Sequence, residues 1–150
     1  MALDDDIRVL SRVGLFNELA DEHLRLLAFG AENMQFGEGR DIYRQDMLAD
    51  CAYVIASGEV DLYRTIGKGR QLLKTVGAGA LLGELALIAP TRRKTGAMAK
   101  TDVLTIRLNQ SLFRRILVEY PEVAAKIHQR LTSQFTEMVD DLARLKPRFE

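Results

Sequence analysis

The chain lacks a net charge and a second cysteine, and each absence narrows the classes of protein it can represent. Among its 150 residues, 21 lysines and arginines balance 21 aspartates and glutamates. No overall field therefore attracts nucleic acid or anionic lipid. Cys51 is the single cysteine, which excludes an internal disulfide. Because it stands in an apolar run, Cys51–Ala56, we expect a small buried side chain rather than a reactive thiol.

Long apolar segments are also lacking. No run approaches the roughly 18 residues that a membrane-spanning helix needs, and the first six residues are acidic where a secretory signal would be basic. We therefore expect a cytoplasmic protein in a reducing compartment, without a membrane partner.

Histidine is scarce, which bears on enzymatic function. His23 and His128 are the only two, and both stand in helical patterns; His128 is expected to face solvent or a dimer interface. A metal-dependent enzyme on a jelly roll needs two or three histidines and a carboxylate on neighbouring strands. No catalytic triad, Cys/His pair or phosphate-binding Walker loop is legible either. We expect no metal, no cofactor and no catalysis.

The residues that are present divide the chain into three segments of one domain, 1–150. N-terminal helices are predicted over 1–29, with a break at Gly14–Asn17 whose two apolar residues we expect at the surface. Short runs of Ile, Val, Leu and Tyr separated by glycines predict a β-roll over 30–108. C-terminal helices are predicted over 109–146, with Asn109 as a cap and a break at Tyr120-Pro121.

The last predicted helix carries an apolar stripe that continues beyond the roll. Its members recur three or four residues apart: Ile127, Leu131, Phe135, Met138, Leu142 and Leu145. The last five follow a heptad pattern over about two repeats, too few for a coiled coil alone. We expect these five to form a homodimer interface; the alternative is a helix packed only on its own domain.

The segment 77–96 differs from the rest of the chain. Its glycines lead into Gly83–Ile88, which is too short for an ordinary helix and is soon followed by Pro90. A single turn after a glycine leaves backbone N–H groups unpaired, and these can hold an anion. Three cations follow, and an arginine fork matches a phosphate: Arg92, Arg93 and Lys94. Glu84 fits if it accepts hydrogen bonds from sugar hydroxyls, so the pattern predicts a nucleotide site.

Several stretches, in order along the chain, carry a resemblance to a known family. They are Phe36-x-x-Gly39-x-x-Ile42, Ala49-Asp50-x-x-Tyr53-x-Ile55-x-x-Gly58-x-Val60, Gly77-x-Gly79 and Gly83-Glu84-Leu-Ala-Leu. This order resembles the cyclic nucleotide-binding domain family, which includes bacterial catabolite activator/FNR regulators and regulatory subunits of protein kinase A. The resemblance implies a mainly β fold with flanking helices. Its core would be a jelly roll, or double-stranded β-helix, with N-terminal helices and a long C-terminal helix.

The resemblance also implies a ligand and the residues that bind it. Glu84 and Arg93 match the family's ribose-binding glutamate and phosphate-binding arginine, and residues 136–140 would lie near the purine. The implied ligand is cyclic AMP, with cyclic GMP as a second possibility. The expected phosphate cassette is 83–96, and the expected binding set within it is Gly83, Glu84, Leu85, Ala86, Arg92, Arg93, Lys94, Thr95 and Gly96.

The cassette departs from the family's pattern in ways that bear on specificity. Lys94 stands where a small residue is usual; it strengthens the field at the phosphate but crowds the pocket. Gly96 stands where a hydroxyl is usual, so guanine selectivity by that route is not expected, and Thr95 supplies a hydroxyl only if the loop shifts. Other departures are Leu82 for an aromatic, Arg92 for a proline and Asp46-Met47 for a Gly-Asp turn.

Other functions stay open at this stage. A degenerate cassette would leave a protein-interaction or dimerisation scaffold, with 92–94 a solvated loop. The chain would otherwise be the sensor part of a transcription regulator that lacks its helix-turn-helix. Only a few residues follow Pro147, too few for a recognition helix. We therefore expect no direct DNA binding and an output through an unknown effector protein.

Overall fold

The chain begins with helices that cover one side of a roll. A computed structural model describes residues 3–17, 19–130 and 132. Helix α1 (Leu3–Ser11) leads through a 3₁₀ turn (Gly14–Phe16) into α2 (Asp21–Gly30). The expectation of an exposed turn is wrong, because Leu15 and Phe16 are 5% and 1% exposed. Both side chains belong to the core under the helices.

The described residues then form ten strands, which pair antiparallel. They are β1 (Glu32–Phe36), β2 (Asp41–Tyr43), β3 (Leu48–Ala49), β4 (Cys51–Ser57), β5 (Val60–Ile66), β6 (Gly69–Val76), β7 (Leu81–Leu82), β8 (Thr91–Arg92), β9 (Gly96–Ala99) and β10 (Val103–Asn109). One sheet has the order β1-β10-β4-β7, a second β2-β9-β5-β6, and a two-stranded sheet joins β3 to β8. The prediction of a mainly β jelly roll with flanking helices is confirmed.

Strand β4 shows how the sequence builds two cores at once. All five residues of Cys51–Ile55 are buried, whereas an amphipathic strand would bury only alternate residues. Because successive side chains point to opposite faces, Ala52 and Val54 pack under the helices while Cys51, Tyr53 and Ile55 fill the roll. The expectation that Cys51 is a small buried side chain is confirmed at 3% exposure.

The chain leaves the roll through further helices. The Asn109 side chain accepts a hydrogen bond from the Leu112 N–H and caps α3 (Gln110–Glu119), as predicted. Residues 121–130 are again helical; there Ile127 is buried and His128 is exposed. Two predictions fall outside the described residues. One is the purine-facing segment 136–140, and the other is the dimer interface of Leu131, Phe135, Met138, Leu142 and Leu145. No helix within the described part of the chain is long and apolar enough to cross a membrane.

Candidate ligand-binding site

A pocket of about 410 Å³ opens beside the one-turn 3₁₀ helix Glu84–Leu87, the cassette turn. This volume lies within the roughly 300–1,000 Å³ typical of small-molecule sites. Apart from Gly96, every predicted site residue lines it. They are joined by residues from the strands around the pocket: Tyr43, Ala49, Leu62, Lys74, Leu81, Leu82 and Thr91.

Arg93 is the buried cation of this pocket, 6% exposed. Its Nη2 donates to the carbonyl oxygen of Cys51 at 2.8 Å and lies 3.4 Å from the Cys51 Sγ. Its Cζ lies 4.2 Å from the ring centroid of Tyr43. Its Nη1 is buried without a hydrogen-bond partner in the described part of the chain. A buried N–H group left unpaired is costly, so a hydrogen-bond acceptor beside Nη1 would stabilise the guanidinium.

A turn between β2 and β3 fixes the backbone of Arg93. The N–H of Asp46 donates to the Arg93 carbonyl at 2.7 Å, and the Arg93 N–H donates to the Met47 carbonyl at 2.8 Å. Nη1 of Arg92 also donates to the Asp46 carbonyl, at 2.9 Å. Asp46 has φ 68°, the one described non-glycine residue with positive φ. The turn that the resemblance assigns to a glycine is therefore present, with aspartate in the left-handed conformation.

Gly83 permits the close approach of Arg93 to the cassette turn. It has φ +80°, and a Cβ at this position would collide with Arg93 Nη1. No residue with a side chain would fit without displacing the guanidinium. Gly83 is thus required both by its backbone conformation and by the position of the arginine.

Glu84 begins the cassette turn, which Ala86 and Leu87 anchor with fully buried side chains. Its carboxylate makes no hydrogen bond or ion pair with any other described residue. Glu84 also lines a second cavity of about 190 Å³, whose other walls include Gly14 and Leu15 of the 3₁₀ turn and Arg130 of the helical segment 121–130. The glutamate therefore lies between the ligand pocket and the helices.

The remaining cassette residues take different positions. Lys94 is exposed and Thr95 half-buried at the pocket wall. Gly96 is buried in β9, where a Cβ would collide with the ring of Tyr63. Gly96 does not line the pocket, and a residue with a side chain in its place would have to displace the Tyr63 ring. We leave it out of the proposed ligand set.

Burial alters the titration of the Tyr43 phenol beneath Arg93. Desolvation raises the pKa of Tyr43, while the positive charge of Arg93 and a hydrogen bond with Thr95 lower it in part. The phenol consequently stays neutral, and its ring offers an uncharged aromatic face to the guanidinium.

Some of the pocket lining was missed by sequence reasoning. Tyr43 and Lys74 belong to strands outside the cassette, and the closure of the roll brings them beside it. Tyr43 was visible as an apolar strand residue, but nothing in its neighbourhood signalled an arginine above it. Over the residues described, no group of three or more His, Cys, Asp or Glu is gathered where it could hold a metal ion.

A family model described as "Cyclic nucleotide-binding domain" matches residues 33–120, more than half of the chain. Over 138 residues the chain is 25% identical to the CRP-like cAMP-activated global transcriptional regulator of Mycobacterium tuberculosis. Over 129 residues it is 30% identical to the cyclic AMP receptor protein of Thermus thermophilus. These alignments cover 91% and 83% of this chain but 62% and 60% of the two regulators, so the chain spans somewhat less than two thirds of their length.

A solved structure of a cyclic nucleotide-binding-like protein from Brucella abortus is 51% identical, with a TM-score of 0.70. That similarity covers 76% of this chain and 98% of the Brucella chain. The residues that the family model matches include the strands that surround the pocket.

Proposed function

Because the chain belongs to the cyclic nucleotide-binding domain family, we propose that it binds cyclic AMP without catalysis and signals to a partner protein. The observation that carries this proposal is Arg93, a buried arginine that lines the pocket and whose Nη1 has no hydrogen-bond partner among the described residues. A charge-assisted hydrogen bond to a phosphate oxygen would supply the missing acceptor. Glu84, whose carboxylate has no hydrogen bond with another described residue, would accept from the ribose hydroxyls.

The preference for cyclic AMP over cyclic GMP rests on the position of Gly96. A serine or threonine at this place is the family's route to guanine, and the Tyr63 ring leaves no room for either. Two relatives whose names refer to cyclic AMP support the same choice. Calorimetry with both nucleotides tests it: cyclic AMP should bind more tightly, and the absence of heat with either at millimolar ligand would contradict the proposal.

The degenerate scaffold is the weaker candidate. Such a protein would have its pocket filled by its own side chains, with Lys94 the obvious candidate for the plug. Lys94 is instead exposed, and a cavity of about 410 Å³ remains. The retained pocket favours a ligand.

The regulatory output is proposed to pass through Glu84. This residue lines both the ligand pocket and the second cavity, whose walls include Arg130 and part of the 3₁₀ turn. A ligand that moves the Glu84 carboxylate therefore changes the surroundings of the helices on the other side. Coupling between such linked sites is typically about 1–3 kcal/mol.

We further propose a homodimer built on the continuation of the helical segment 121–130. Ile127, at the start of the apolar stripe, is already buried against the domain, so the residues that continue the stripe need a second surface. Light scattering on the wild type and on Phe135→Glu tests this: the wild type should be dimeric and the variant monomeric. A monomeric wild type at high micromolar concentration would overturn it.

A further inference from the structure

The charge lining the pocket exceeds what a single cyclic phosphate neutralises. Four basic side chains and one carboxylate line it: Lys74, Arg92, Arg93, Lys94 and Glu84. A cyclic mononucleotide carries one negative charge, and its phosphate would be matched by Arg93 alone. Arg93 is buried, and the other three cations are exposed. Positive charge that lines a cleft raises the local concentration of anions, so the surplus favours a ligand with further negative charge.

Two of these cations have no other evident role. Neither Lys74 nor Lys94 forms an ion pair with a described residue. Arg92 differs, because its Nη1 holds the Asp46 carbonyl. The two lysines thus line the pocket with exposed side chains that make no ion pair with a described residue.

The lysines reach the pocket from different parts of the roll. Lys94 directly follows Arg93 in the segment before β9. Lys74 lies on β6 opposite Leu62 of β5, and Leu62 also lines the pocket. Because β5 lies between β9 and β6 in the sheet, β9 and β6 lie about 10 Å apart. One lysine therefore adjoins the phosphate site of Arg93, and the other enters from a strand across the pocket.

We propose that the ligand this pocket binds most tightly is a nucleotide with a second phosphate group, held by Lys94 or Lys74 while Arg93 holds the first. This rests on the proposed function, since Arg93 and Glu84 keep the roles given above. Two ligands share this chemistry: a nucleoside diphosphate, whose phosphates are adjacent and would use Lys94, and a cyclic dinucleotide, whose phosphates are separated and would use Lys74. Cyclic AMP would occupy the same pocket with lower affinity.

Calorimetry with three adenine nucleotides tests the proposal, because the base is then constant. Cyclic AMP, ADP and cyclic di-AMP are titrated into the wild type, Lys74→Ala and Lys94→Ala in buffer without divalent cations. Lys68→Ala is the matched control, an exposed lysine in the β5–β6 hairpin that does not line the pocket. Thermal unfolding of each variant checks that it is folded.

We expect ADP or cyclic di-AMP to bind the wild type about tenfold or more tightly than cyclic AMP, a difference of about 1.4 kcal/mol. That ratio should fall about fivefold or more in one lysine variant and stay unchanged in Lys68→Ala. A loss in Lys94→Ala identifies adjacent phosphates, and a loss in Lys74→Ala separated ones.

Three results would overturn the proposal, and they separate it from the function on which it rests. Binding of cyclic AMP that depends on Arg93 but exceeds that of both two-phosphate ligands refutes only the second phosphate. A ratio that keeps its wild-type value in both lysine variants also refutes only the second phosphate. No binding of any of the three nucleotides refutes the proposed function as well.

Discussion

The guanidinium of Arg93 lies over the Tyr43 ring, with its Cζ 4.2 Å from the ring centroid. Tyr43 in turn stacks on Tyr53, with centroids 6.2 Å apart and an interplanar angle of 25°. Together with the Cys51 carbonyl, which accepts from Nη2, these rings restrict the arginine to one orientation. Binding then costs less conformational entropy, because the side chain that meets the ligand is already oriented.

Replacing the ring beneath Arg93 should therefore weaken ligand binding. Tyr43→Leu removes a cation–π contact worth about 0.5–2 kcal/mol, and we expect cyclic AMP affinity to fall by a comparable amount. Tyr43→Phe keeps the aromatic face and should retain most of the affinity. Calorimetry on both variants measures the difference; equal affinities would show that the ring has no positioning role.

Gly83→Ala should reduce ligand affinity as well as stability. The new Cβ would collide with Arg93 Nη1, and the positive φ adds strain of about 1–2 kcal/mol. Gly39→Ala separates the two effects, because Gly39 has φ +85° with nothing near its Cβ position. Both variants should lose stability in chemical denaturation, but only Gly83→Ala should lose cyclic AMP binding. A Gly83→Ala protein with unchanged affinity would show that Arg93 does not need its present position.

Asp46→Gly should leave the fold intact and stabilise it slightly. Its φ of 68° is strained for aspartate, and glycine removes a cost of about 1–2 kcal/mol. Glycine also increases the entropy of the unfolded chain, which returns about 0.4–1 kcal/mol. The expected net gain is below about 1.5 kcal/mol, measured by chemical denaturation. Asp46→Val, which is β-branched, should destabilise the protein; a stable valine variant would contradict this account of the turn.

Tyr43 should also make stability depend on pH in the alkaline range. Burial raises its pKa in the folded protein above the ordinary value of 10.0, so the unfolded chain loses the phenolic proton first. The contribution to stability is then complete below pH 10.0 and is lost as pH rises through the folded-state pKa. Denaturation of the wild type and of Tyr43→Phe across this range isolates the effect, since the other tyrosines are common to both. The wild type should lose more stability, and parallel pH curves would argue against a buried neutral phenol.

The site shows which features a sequence can predict and which it cannot. The cassette is contiguous, so the glycine, the acidic residue and the arginines that line the pocket were all legible in segment 77–96. Tyr43 and Lys74 were not, because their positions follow from the closure of the roll rather than from any local pattern. The position of Gly96 outside the pocket lining was not legible for the same reason: its place against Tyr63 depends on the pairing of β9 with β5.

The turn at Asp46 makes the same point for the backbone. Asp46-Met47 stands where the family's pattern has Gly-Asp, so the sequence alone indicated an altered turn. Aspartate tolerates the left-handed conformation better than most residues, so hydrogen bonds to Arg93 are kept despite the substitution. The turn thus has the left-handed residue without a glycine, and the sequence alone could not reveal this.

The central claim is that Arg93 holds the phosphate of a nucleotide, and calorimetry of Arg93→Ala with cyclic AMP tests it most directly. Arg114→Ala serves as the control, an exposed arginine on α3 away from the pocket, and thermal unfolding confirms that both variants fold. Removing a charge-assisted hydrogen bond should cost about 1.5–3 kcal/mol, so affinity should fall about ten- to hundredfold in Arg93→Ala and stay at the wild-type value in Arg114→Ala. Wild-type affinity in a folded Arg93→Ala protein would contradict the claim and move the phosphate to Arg92 or Lys94.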